Sequence, residues 1–209
     1  MQGQRGGETR AALLSVAQRL FAEKGLGGVS VREITREAGA RNESALHYHF
    51  GGLESLIKEV FTERYLQIES ARLAWLRDID AAGQGADLTH LMRAAVGPLL
   101  EACREEDGRL YARFAHQLAA DPRFDVVQIV RDTGMASVAT IRDRVLDNLT
   151  SLPQAVVLTR LRRVFSISIM LMADFATQID RGAAMSIEAE TDEAAASLAG
   201  FLRAGIILA

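Results

Sequence analysis

Between Gly39 and Gly51 the chain carries Arg41, Asn42, Ser44, His47, Tyr48 and His49 within nine residues. Side chains of these types hydrogen-bond to phosphate oxygens and to the edges of nucleic-acid bases. Small polar groups and an arginine at the start of a helix come within reach of both. Asn42 and Ser44 serve turns and helix caps equally well, so for Asn42 the two readings are balanced. His47, Tyr48 and His49 suit phosphate contact by some and packing by others. Histidine pairs also bind metals. Adjacent and alternate residues on a helix do not share a face, however, which argues against a metal site here.

Such groups act on duplex DNA only if one exposed helix presents them to the major groove while a second helix braces it. The surrounding sequence has that form. Leu13, Leu14, Ala17, Leu20 and Phe21 make one face of a first helix, expected from about residue 8 to residue 24 and ended by Gly25, Gly27 and Gly28. Ser30-Val31-Arg32-Glu33 has the capping-box pattern and opens a second helix, expected over 31–38. After Gly39 a third helix is expected from residue 42 or 43 to 49, with Leu46 and Phe50 available to pack on Ile34 and Phe21. Spacing alone does not separate this arrangement from a plain helical hairpin.

Motif content goes further. Thr9-Arg10, Leu20-Phe21-Ala22-Glu23-Lys24-Gly25, Val31-Arg32-Glu33-Ile34, Ala38-Gly39 and Tyr48-His49-Phe50 occur in order across residues 8–61. Together they resemble the N-terminal signature of the tetracycline-repressor (TetR) family of transcriptional regulators. The resemblance implies a DNA-binding head, a ligand-binding body and a homodimer that acts as a repressor on double-stranded operator DNA. It points to Arg32, Arg41, Asn42, Ser44, His47, Tyr48 and His49 as DNA contacts. Two departures stand out. The segment from Gly39 to Phe50 is one residue longer than the commonest family form, and Leu53 stands where the family usually has a phosphate-binding lysine.

The rest of the chain reads as helix throughout, giving an all-α fold of about nine helices. Of its 209 residues 49% are hydrophobic and only three are proline, with apolar residues spaced by three and four. A long helix is expected from Leu53 to about residue 80, then helices at 87–106, 108–120, 123–150, 154–181 and about 190–208. The expected domains are a helix-turn-helix head at 1–51 and a ligand-binding and dimerisation body at 52–209. The last two helices are the most apolar pair and the expected dimer interface.

Net charge is −3, yet residues 1–53 carry +2 and residues 54–209 carry −5. The DNA-facing end is thus the basic one. In the body, Met92, Arg113, Phe114, His116, Phe124 and Met135 are the candidate lining of a pocket for a small apolar or amphipathic ligand. Arg160, Arg162 and Arg163 read as solvated or interfacial ion pairs. The single cysteine, Cys103, has acidic neighbours and reads as core filler. Phosphate-binding glycine loops, zinc-protease and di-iron motifs are absent from the sequence, so no catalytic residue, cofactor or metal is expected. No membrane span and no leader are expected either, and the expected compartment is the cytoplasm. The competing interpretation is a helical small-molecule carrier or enzyme whose hairpin is incidental.

Overall fold

The computed structural model of the chain describes residues 2–40 and 42–204. Ten α-helices and one 3-10 turn make up the described elements, with no strand among them. In order they are α1 (Gln2–Lys24), a 3-10 turn (Leu26–Gly28), α2 (Val31–Glu37), α3 (Ser44–Phe50), α4 (Leu53–Ala81), α5 (Leu88–Ala102), α6 (Glu106–Ala120), α7 (Val126–Asp132), α8 (Ala136–Asn148), α9 (Gln154–Asp180) and α10 (Ile187–Arg203).

The N-terminal helices form for the reasons their sequence gives. The Ser30 side chain accepts the backbone N–H of Glu33 at 3.2 Å, which caps α2. Glu33 does not complete the capping box, because its carboxylate pairs with Lys24 at 2.5 Å instead. Gly39, at φ +67, lets the backbone turn back so that Ala40 N–H reaches the Thr35 carbonyl at 2.9 Å and closes α2. Ile34, Leu46 and Phe50 are buried with Leu13, Ala17, Leu20 and Phe21, and this is the core of the head.

Two differences from the expected elements have clear causes. The stretch expected as one helix over 123–150 is split into α7 and α8. Gly134 sits there at φ +66, a left-handed conformation that ends a helix. Helix α10 buries Ala194, Ala195, Leu198 and Leu202, but against α5 of the same chain rather than leaving them for a partner. The end of the helix expected over about 190–208 lies outside the described residues from 205 onward.

The head meets the body through more than α4. Phe21 of α1 stacks on Phe114 of α6 with ring centroids 5.8 Å apart. Gln18 donates to the Asp107 carboxylate at 2.6 Å, and Gln117 donates to the Ala22 carbonyl at 3.3 Å. Arg10 of α1 holds Glu59 of α4 and lies 5.5 Å from the centre of the Phe50 ring. Helices α1, α4 and α6 therefore share one core, and a movement of α4 is felt by the head directly.

Candidate nucleic-acid interface and ligand cavity

Helix α3 is seven residues long and divides its faces cleanly. Leu46 and Phe50 point into the head core, while Ser44, His47 and Tyr48 are exposed and His49 is half-buried. Tyr48 is 85% exposed, the most open large hydrophobic side chain among the described residues. Its one ring contact is an edge-to-face approach to His49 at 5.0 Å. An aromatic left this open has no part in holding the fold.

Asn42 precedes the helix and accepts the Ser44 hydroxyl at 2.5 Å; both are exposed. This is local turn chemistry, and it uses the Asn42 carbonyl oxygen and not its amide N–H₂. Arg32 on α2 is exposed as well. Arg41 lies outside the described residues. Helix α3 begins at Ser44, one or two residues later than expected. Helix α4 then starts on Gly52 without a side-chain cap, and Glu54 stands in its first turn.

In the body, helices α4, α5, α7, α8 and α9 line a half-open cavity of about 500 Å³. Apolar side chains from all five line it, among them Met92, Leu99, Val130, Met135, Ile141 and Phe165. That volume lies in the range of small-molecule sites. Four arginines also line it, Arg72, Arg131, Arg142 and Arg162, and no acidic residue does.

Of the six residues expected to line a pocket, Met92 and Met135 reach this cavity and four do not. Phe114 is spent on the stack with Phe21. Arg113 and Arg109 both hold Asp180 at the end of α9. His116 is exposed on the outer side of α6. Phe124 is buried beneath the Arg123 guanidinium, 5.4 Å from its ring centre. All four belong to α6 or the loop after it, and α6 faces the head and α9 instead of the cavity.

Arg72 is the lining residue the sequence reading missed, although a signal was there. Ile57, Phe61, Tyr65, Ile68, Leu76 and Ile79 are buried at spacings of three and four along α4, and Arg72 falls on the same stripe. Arg160 is a parallel case on α9. It is buried rather than solvated, and donates to the Leu202 carbonyl at 2.6 Å near the end of α10.

Residues 13–60 match the family described as bacterial regulatory proteins, tetR family, and residues 93–205 match the one described as tetracyclin repressor-like, C-terminal domain. The chain belongs to the TetR family. It is a DNA-binding transcriptional regulator. No curated protein matches it in sequence. Among solved structures it is similar to a TetR-family regulator from Shewanella sp. PV-4, at 22% identity and a TM-score of 0.65, covering 91% of this chain and 95% of that one. A second TetR-family regulator, from Rhodococcus sp., gives 16% identity and a TM-score of 0.57 over 94% and 99% of the two chains. NalD of Pseudomonas aeruginosa, the secondary repressor of the MexAB-OprM multidrug efflux pump, gives 20% and 0.55 over 92% and 96%. At these identities the likeness extends to the fold.

Burial pushes the Cys103 thiol up to about 12, leaving almost no nucleophilic thiolate near neutral pH. Burial likewise raises the Tyr111 phenol well above its ordinary value, and its hydroxyl donates to the Phe61 carbonyl. Among the described residues no group of three His, Cys, Asp or Glu side chains is placed to hold a metal, and no helix is long and apolar enough to cross a membrane.

Proposed function

We propose that the chain is a homodimeric repressor that grips operator DNA with two copies of the head and lets go when a small molecule fills the body cavity. In this reading the head is 1–51 and the body 52–209. Arg32, Arg41, Asn42, Ser44, His47, Tyr48 and His49 are the DNA contacts. The exposure of α3's polar side chains, opposite a buried Leu46 and Phe50, supports that assignment. With Leu53 in place of a lysine, the amides at the start of α4 are left to bind a phosphate through the helix N-terminus. Glu54 beside them weakens that contact.

The observation that carries the regulatory part is the position of the cavity against α4, the helix that joins body to head. Its 29 residues make a lever of about 44 Å. Two recognition helices fit successive major grooves only when about 34–36 Å apart. A tilt of α4 by about 5° moves its far end by roughly 4 Å on that lever length, enough to spoil the match. The ligand thus acts by preferring a body conformation whose heads no longer fit.

Dimerisation uses the outer sides of α9 and α10. The inner stripe of α10 is occupied by α5, so the exposed Met170 on α9 and the small Ala196 and Gly200 on α10 form the proposed contact. A two-fold four-helix contact of this kind is a common solution. The reading includes no catalytic step, and its compartment is that of the DNA, the cytoplasm. Selecting bound fragments from a random duplex pool tests the DNA part. Recovered sites should carry two related half-sites about one helical turn apart, and recovery without any sequence preference would contradict it.

A further inference from the structure

Arg72 is 2% exposed and takes part in none of the direct ion pairs found among the described residues. Its guanidinium makes two long hydrogen bonds, to the Ser137 hydroxyl oxygen at 3.5 Å and to the Ala95 carbonyl at 3.4 Å, and lies 5.0 Å from the Tyr65 ring centre. An arginine carries five N–H donors and keeps its charge. Burying such a group without an anion is costly.

One neighbouring acid relieves it only in part. Glu69, one turn away on α4, meets Arg72 through the Ser137 hydroxyl they share and makes no direct pair with it. It accepts the Ser137 backbone N–H at 2.8 Å and the Ser137 hydroxyl as well. The other three arginines around the cavity are already engaged: Arg142 with Asp143, Arg162 with Asp125 and Arg131 with Gln128. Arg72 therefore differs from them in being buried beside the cavity with no carboxylate in direct contact, Glu69 reaching it only through the shared Ser137 hydroxyl.

We infer that the cavity binds an amphiphile with a single carboxylate head group, which docks on the Arg72 guanidinium while its hydrocarbon body fills the apolar space. This rests on the cavity being the regulatory site. A carboxylate fits the planar fork of an arginine through two parallel hydrogen bonds, and one negative charge balances one buried cation. A cationic ligand would meet four arginines and no acid. A neutral one would leave Arg72 as it is. Arg131, whose partner is the neutral Gln128, adds to the local positive potential at the cavity.

The same contact supplies the signal. Arg72 is on α4, its present partners are on α5 and α8, and Glu69 ties α4 to the start of α8 through Ser137. A carboxylate that takes over the guanidinium releases it from Ala95 and Ser137, which changes how α4 rests on its neighbours.

The test is isothermal titration of the full-length protein with decanoate, decyl phosphate, 1-decanol and decyltrimethylammonium, each below its micelle concentration, with operator release followed in parallel. Decanoate should bind wild type about 10- to 150-fold more tightly than 1-decanol, the range expected for a hydrogen-bonded charged contact. It should also outbind decyl phosphate. Arg72→Met should bring decanoate down to the level of the alcohol and leave the alcohol unchanged or tighter. Arg72→Lys, the milder variant in case the first does not fold, should retain only part of the preference. Equal binding of alcohol and carboxylate, tighter binding of decyl phosphate, or a preference that survives both substitutions would overturn the inference. If 1-decanol binds and releases DNA but decanoate has no advantage, this inference alone fails. If no probe binds, the regulatory reading of the cavity fails with it.

Discussion

Tyr48 offers the sharpest separation between holding the fold and holding DNA. At 85% exposure, with one edge contact to His49, its loss should alter stability by no more than about 0.5 kcal/mol, the usual range for an exposed site. Its proposed partner is a phosphate, and a hydrogen bond to a charged group contributes about 1.5–3 kcal/mol. A two-fold dimer loses the contact twice, about 3–6 kcal/mol in all. Tyr48→Ala should therefore weaken operator binding by roughly 100-fold or more. The paired control is Leu46→Ala, two residues earlier and fully buried, which should cost about 2–5 kcal/mol of stability. Fluorescence anisotropy on a selected operator, at one fixed salt concentration, reads the first effect, and urea unfolding reads the second. Wild-type affinity in Tyr48→Ala would refute the assignment of α3's outer face to DNA. So would a stability loss close to that of Leu46→Ala.

Other outcomes follow from the packing and the charges. A Cβ on Gly108 would lie 1.7 Å from the Ala102 carbonyl oxygen, so Gly108→Ala should force the ends of α5 and α6 apart and cost about 3 kcal/mol in urea unfolding. Burial alone would raise the Asp180 carboxyl, but hydrogen bonds from Arg109 and Arg113 outweigh it and hold it below its ordinary 3.8. The stability it adds is then complete above that value and lost as the pH falls through the lower folded one. In thermal melts Asp180→Asn should flatten that part of the acid decline, and an unchanged profile would contradict the pairing. Cys103 should resist a thiol reagent at pH 8 in the native protein and react only on unfolding, whereas rapid native labelling would contradict its burial. Met170→Glu combined with Gly200→Arg should shift sedimentation toward monomer, and an intact dimer would move the interface elsewhere.

The helical class and most elements were legible because they rest on local signals. The Ser30 cap, the Gly39 turn, the Leu13 to Phe21 stripe and the start of α4 after Gly51-Gly52 all depend on residues near one another in sequence. The α7–α8 break was less visible, since apolar spacing continues on both sides and only Gly134 marks the stop. Cavity lining was the least legible. Phe114 and Arg113 have the right residue types, but which way α6 faces depends on its packing against α1 and α9. Arg72 shows the opposite error. Its place on the buried stripe of α4 could be counted from sequence, yet a single charge in an amphipathic helix reads as solvated until the neighbouring helices close over it. Arg160 was misread in the same way.

Reciprocal titration on one preparation tests the central claim, that occupancy of the body cavity and DNA binding by the head are coupled, most directly. Operator affinity is measured with and without a saturating cavity ligand, and ligand affinity with and without saturating operator. Linkage requires the two to fall by the same factor, and a coupling of about 1–3 kcal/mol sets that factor at roughly 5 to 150. A ligand that fills the cavity while both affinities stay unchanged would contradict the account.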